Sequence, residues 1–123
     1  MIQGGGNIKF DNSIPIYLQI IEKIRTDIAK GVYKPGEKIE SVRELALNLG
    51  VNPNTVQRAL VKLEEQGLMY TERTTGKFIT KDENHLEALK KEIPTRITKN
   101  YIEEMRETET TDEQIINFVK ENL

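Results

Sequence analysis

Asn54, Gln57, Arg58, Val61 and Lys62 recur at i, i+3, i+4, i+7 and i+8. That spacing puts all five on one face of a helix, and four of them carry hydrogen-bonding or charged groups. Asn and Gln side chains can bond adenine bidentately, and the Arg fork matches guanine. Lys62, further along, is better placed for a phosphate. Asn52 and Thr55 stand at the start of the same helix, where unpaired N–H groups and the helix dipole favour an anion. Arg43 points outward from the preceding helix, and Arg73 and Lys77 flank Gly76, where a minor-groove or phosphate contact is open. Each feature also has a plainer reading. Polar residues on an exposed helix face are mostly just solvated, Asn52 can be only a cap, and Gly76 can be only a turn residue. The case for DNA is their convergence, in order, within one stretch.

Several elements must position these residues. The first helix is expected from Pro15 to Lys30, because Tyr17, Ile20, Ile21, Ile24 and Ile28 form one apolar stripe, Pro15 suits a first turn and Gly31 suits a stop. Val32 and Tyr33 are expected as a short strand, followed by a turn at Pro35-Gly36. Ser41 and Glu44 have the spacing of a capping box, so a short helix should run from Val42 to Leu49 with Leu45, Ala46 and Leu49 inward. Gly50 ends it. Asn52 and Pro53 then open a third helix to about Gln66, burying Val56, Ala59, Leu60 and Leu63. Two helices across so short a turn have the spacing of a helix-turn-helix. Leu68–Arg73 and Lys77–Thr80 read as a β-hairpin around Thr74-Thr75-Gly76, which makes the whole a winged helix.

The remainder differs in character. Leu86, Leu89, Ile93, Ile97, Tyr101 and Met105 recur at steps of three and four across Asp82 to Glu107, with a kink or break expected near Ile93 because Pro94 follows. Thr111 and Gln114 form a second capping box, opening a last helix with Ile115, Ile116, Val119 and Leu123 on one side. Two thin helices cannot cover both stripes alone, and a second copy of the chain is the expected cover. The fold class is therefore α+β, mainly α, with a flexible leader over residues 1–13, a winged helix-turn-helix over 14–81 and a helical dimerisation segment over 82–123. Gly4-Gly5-Gly6 belongs to the leader and is not read as a phosphate loop.

Composition narrows the classes. The 123 residues include no cysteine and one histidine, His85, which removes disulfides, thiolate zinc sites, a His-based metal cluster and a catalytic triad. No metal, cofactor or enzymatic activity is expected. No apolar run is long enough to span a bilayer and the first ten residues lack a secretory pattern, so a cytoplasmic protein is expected. Net charge is −2, an unpromising figure for a nucleic-acid partner. Its distribution is uneven, however: Pro15 to Thr80 holds 10 Lys and Arg against 8 Asp and Glu, whereas Asp82 to Leu123 holds 6 against 11. A small-molecule or protein-interaction module is the alternative, with a groove between the C-terminal helices lined by Tyr101, Met105 and Phe118.

At these same residues the sequence resembles the GntR family of transcription regulators. Pro15-Ile16-Tyr17-Leu18-Gln19-Ile20 is similar to the opening of the family's first helix, and Ile39-Glu40-Ser41-Val42-Arg43-Glu44-Leu45-Ala46 to its Leu-Pro-Ser-x-Arg-x-Leu-Ala segment. The recognition-helix segment Val51–Leu60 resembles the YtrA-like subfamily, as does the short two-helix C-terminus. Gly67-Leu68 and Gly76-Lys77-Phe78-Ile79 resemble the wing. The resemblance implies a dimeric repressor on a palindromic operator, often governing an ATP-driven transporter operon and its own gene. It implies DNA contacts from Arg43, Asn52, Asn54, Thr55, Gln57, Arg58 and the wing tip near Gly76; Ser41, beside Arg43, is counted with them. Two departures stand out: Glu40 replaces the usual proline and would place a carboxylate near the phosphate path, and Thr74 replaces a common wing glycine.

Overall fold

The computed structural model describes residues 9–123. Gly4-Gly5-Gly6 and most of the expected leader lie outside them. The end of that leader is ordered: Asp11 Oδ1 accepts from the Ser13 N–H and hydroxyl, and Gln19 Nε2 donates to the Asp11 and Ile14 carbonyls.

The element order is α1 (Ile16–Ala29), α2 (Val42–Leu49), α3 (Pro53–Glu65), β1 (Met69–Glu72), β2 (Gly76–Ile79), α4 (Glu83–Glu107) and α5 (Asp112–Asn122). The chain divides into two compact units, one ending at Lys90 and the other spanning Lys91–Leu123. In the first, α1, α2, α3 and the wing share one core of Ile20, Ile24, Leu45, Val56, Leu60, Leu63 and Ile79, with Val56 and Leu63 at 0% exposure. All but Ile79, which comes from the wing, are residues that helical spacing assigns to the inner faces. Pro15 is the N-cap of α1 rather than its first residue. Tyr17, expected in the buried stripe, is only half-buried.

Local signals set the ends of α2 as expected. The Ser41 hydroxyl accepts from the Glu44 N–H at 3.1 Å and the Ser41 N–H donates to Glu44 Oε1 at 3.2 Å, completing the capping box of α2. Gly50 takes the left-handed conformation (φ 69°), which lets the chain turn from α2 into α3 within three residues. The expected strand at Val32–Tyr33 does not form. Tyr33 is instead a buried core residue whose hydroxyl donates to Glu40 Oε2 at 2.9 Å. Segment 37–39 takes the strand role: Lys38 bridges Phe78, Ile39 N–H donates to the Lys77 carbonyl and Ile79 N–H donates to the Glu37 carbonyl. The wing pairs Met69 with Ile79 and Glu72 with Gly76 in antiparallel register, and Tyr70 stacks on Phe78 across it at 5.6 Å.

In α4, the break expected beside Pro94 is absent; the helix runs through it. Pro94 offers no N–H to the Lys90 carbonyl, while Thr95 and Thr98 hydroxyls donate to the Lys91 and Pro94 carbonyls at 2.7 Å each. The second capping box forms as expected, with Gln114 N–H donating to Thr111 Oγ1 at 3.2 Å and Thr111 N–H to Gln114 Oε1 at 2.9 Å. Leu86, Leu89, Ile93 and Ile115, expected at a dimer interface, are already buried within one chain. The reason for Leu86 and Leu89 is that the start of α4 belongs to the first unit and contributes to its interior. Ile97 and Ile116 remain 57% and 55% exposed, with Val119 and Phe118 also exposed and Tyr101 and Met105 half-buried.

Candidate nucleic-acid interface

Helix α3 is held against the core by Val56, Ala59, Leu60 and Leu63, and its opposite face is free. Asn54, Gln57, Arg58, Val61 and Lys62 are all exposed, as the 3.6-residue period requires. Lys62 pairs loosely with Glu65 at 3.3 Å, an exposed ion pair that costs little to exchange for a phosphate. Arg58 has a more defined setting. Its guanidinium lies over the Tyr17 ring of α1, 3.8 Å from the ring centroid. Among the described residues neither Arg58, Gln57, Arg43 nor Arg73 makes a side-chain hydrogen bond or ion pair.

The start of α3 differs from expectation. Asn52 Oδ1 accepts the Asn54 N–H at 2.8 Å, and the Asn52 carbonyl accepts the Thr55 N–H at 3.0 Å. Pro53 has no N–H to offer. The first turn therefore lacks the cluster of unpaired N–H groups that an anion site needs; the dipole and the Asn52 and Thr55 side chains remain.

The wing also rearranges the expected contacts. Arg73 sits exposed in the turn that joins β1 to β2, but Lys77 is drawn back towards α3. Its Nζ donates to Thr71 Oγ1 at 2.9 Å and lies 3.6 Å from Glu64 Oε2, while the Thr71 hydroxyl donates to Glu64 Oε1. An ammonium held this way braces the wing on α3 instead of projecting from its tip. Lys38 stands where sequence reasoning had assigned nothing: its Cε lies 3.1 Å from where a Cβ on Gly76 would be. With Ser41, Arg73, Gly76 and Lys77 it lines a cleft of about 330 Å³ between the wing and the start of α2. No local pattern could have found Lys38, because its place depends on the bridge to Phe78.

Both departures from the family pattern have structural answers. Glu40 is half-buried and accepts the Tyr33 hydroxyl, so its carboxylate is engaged within the fold. Burial, first, and the Glu40 carboxylate, second, push the Tyr33 phenol well above its ordinary pKa. It stays a neutral donor to Glu40. Thr74 needs no glycine: among the described residues only Glu109 has a positive φ without being glycine, and the wing position that demands one is Gly76 at φ 120°. The Glu44 carboxyl is held below its usual range by the Ser41 N–H, then by the Ser41 hydroxyl.

A capped two-helix turn, an exposed polar face and a hairpin beside it make a surface suited to a duplex groove. Residues 16–79 match the family described as bacterial regulatory proteins, gntR family. The chain belongs to the GntR family. It is 34% identical to the HTH-type transcriptional regulator YhcF of Bacillus subtilis over 91% of its own length and 93% of the relative's. It is 45% identical to the HTH-type transcriptional repressor YtrA of the same organism, over 58% of this chain and 55% of YtrA. A GntR family transcriptional regulator from Listeria monocytogenes superposes with a TM-score of 0.87 at 47% identity, over 91% of this chain and 98% of that one. The DNA-binding domain of AraR, solved in complex with operator ORX1, superposes at 0.56 with 29% identity, over 62% of this chain and all of that one. The winged helix described above is thus a GntR DNA-binding fold, and the protein is a DNA-binding transcriptional regulator, not an enzyme. Among the described residues no helix is long and apolar enough to cross a membrane.

Proposed function

We propose that this GntR regulator is a dimeric repressor that binds a palindromic operator, with α3 in the major groove and the wing against the adjacent backbone. The observation that carries the reading is the outer face of α3, where Asn54, Gln57 and Arg58 stand exposed with the Arg58 fork unpaired. Residues 14–81 form the DNA-binding part and the exposed apolar face of α4 and α5 the dimerisation part. Ile97, Tyr101, Met105, Ile116 and Val119 line an open groove of about 1100 Å³ on that face. An apolar surface of this kind calls for a cover, and a second copy supplies one symmetrically. A two-fold dimer in turn reads an inverted repeat. Ser41, Arg43, Lys62 and Arg73 serve the phosphates. The YtrA-like resemblance, supported by the kinship with YtrA, points to an ATP-driven transporter operon and the protein's own gene as targets, read in the cytoplasm.

The deciding experiment selects duplexes from a random-sequence pool with the full chain. Arg58→Ala should weaken binding to the selected duplex by about 1–3 kcal/mol and relax the preference at one position. An equal loss on a shuffled duplex would assign Arg58 to phosphate instead. The logarithm of affinity should also fall linearly with the logarithm of salt concentration as phosphate contacts release counterions. A salt-insensitive affinity contradicts the reading. The same apolar groove supports a second reading, a site for a small apolar effector, which a thermal-shift screen would reveal as saturable stabilisation.

A further inference from the structure

We infer that Tyr17 is a positioning residue for base readout: its ring is the platform that orients Arg58. The inference rests on the DNA reading above and adds to it a residue on a helix that does not carry the recognition face. The Arg58 guanidinium carbon lies over the Tyr17 ring, 3.8 Å from its centroid, a separation too short for an edge-on approach and suited to stacking. A cation–π stack engages the face of the guanidinium, whereas its N–H donors radiate from the edge in the plane. Stacking therefore fixes that plane while leaving the fork available for guanine O6 and N7. No hydrogen bond or ion pair among the described residues competes for that edge.

The helix that carries the platform is anchored in the core. Tyr17 is the second residue of α1, and the next turns of that helix bury Ile20, Ile21 and Ile24 in the core. α1 is also tied to the far end of α3 by Arg25 Nη1 donating to Gln66 Oε1 at 2.8 Å. An arginine elsewhere on an exposed helix samples many rotamers and must lose that freedom on binding. Here part of the ordering is present before DNA arrives, which favours binding without adding a contact. Tyr17 is half-buried, out of line with the apolar stripe to which its spacing assigns it, and its ring carries the Arg58 cation.

The test uses the full chain and a duplex it selects from a random pool, with a shuffled duplex as control. Tyr17→Leu should weaken binding to the selected duplex about 2- to 5-fold, the equivalent of an exposed cation–π contact. Binding to the shuffled duplex should be unchanged. Tyr17→Phe, which keeps the ring, should retain wild-type affinity, and Tyr17→Leu should have no further effect in an Arg58→Ala background. An effect of the same size in that background, or on the shuffled duplex, overturns the inference. If Arg58→Ala costs specificity and Tyr17→Leu does not, the positioning role alone fails; if Arg58→Ala costs nothing, the DNA reading of Arg58 fails with it. Should Tyr17→Leu not fold, the wild-type chain still decides: the Arg58 Cδ protons should show an upfield ring-current shift in NMR spectra, and its absence overturns the stack.

Discussion

At the scale of single residues, caps hold the elements that carry the interface. Ser41, Glu44, Asn52 and Asp82 each satisfy backbone or side-chain groups at a helix start, and the last does so for α4: Asp82 Oδ1 accepts the Asn84 N–H at 2.9 Å and Oδ2 lies 2.9 Å from His85 Nδ1. The His85 side chain and N–H hold the Asp82 carboxyl below its ordinary value, as Ser41 does for Glu44. A carboxyl whose folded pKa is depressed stabilises the fold above its unfolded value and loses that contribution as pH falls through the folded one. The melting temperature should therefore drop as pH is lowered from about 5 to about 3. The Glu44→Gln, Asp82→Asn double variant should flatten that drop, as read by circular dichroism. An identical pH profile for wild type and double variant would show that these two groups are not its source. Both are solvent-exposed, so the effect is a slope and not a collapse.

At the scale of elements, α3 is the best-determined piece and α4 the most surprising. α3 has a cap, a proline at its first position and an unbroken apolar stripe, so its ends and its inner face follow from local chemistry. α4 carries Pro94 within a 25-residue helix. A proline inside a helix leaves the Lys90 carbonyl without its usual donor and costs up to about 3 kcal/mol relative to alanine. Pro94→Ala should accordingly raise stability, by at most about 3 kcal/mol, in urea denaturation of the full chain. A loss of stability would mean that the proline is needed for the packing around it. The wing owes its placement less to local signals. The turn at Gly76 is legible, but the brace of Glu64, Thr71 and Lys77 joins residues from α3, β1 and β2. The segment around Lys38 becomes a strand partner only because Phe78 is there to receive it.

At the scale of the whole molecule, charge and exposed apolar surface are unevenly distributed along the chain. Net charge is −2, yet the DNA-reading part carries the basic excess and the C-terminal part the acidic one. Phosphate binding requires only the local balance. The C-terminal unit leaves Ile97, Ile116 and Phe118 exposed beside one another along a single groove. Sedimentation should show a dimer at micromolar concentration, and Ile116→Glu should shift it to monomer by placing a charge in the apolar interface. A monomeric wild type would remove the two-fold argument for a palindromic site. The first turns of α4 contribute to the interior of the first unit, so the apolar surface available to a partner is narrower than the full stripe from Leu86 to Met105.

The amino-acid sequence determined whatever depends on neighbours within a few positions. Capping boxes, glycine stops and 3.6-residue stripes set the helices, their inner faces and the outward display of Asn54, Gln57 and Arg58, because each is decided by local backbone hydrogen bonding and burial. The tertiary structure decided what depends on residues distant in the chain. It put Tyr17 beneath Arg58, Lys38 beside Gly76, Lys77 against Glu64 and the Tyr33 hydroxyl on Glu40. These pairings exist only once the helices and the wing pack on a common core, since each joins residues whose meeting no period or motif encodes.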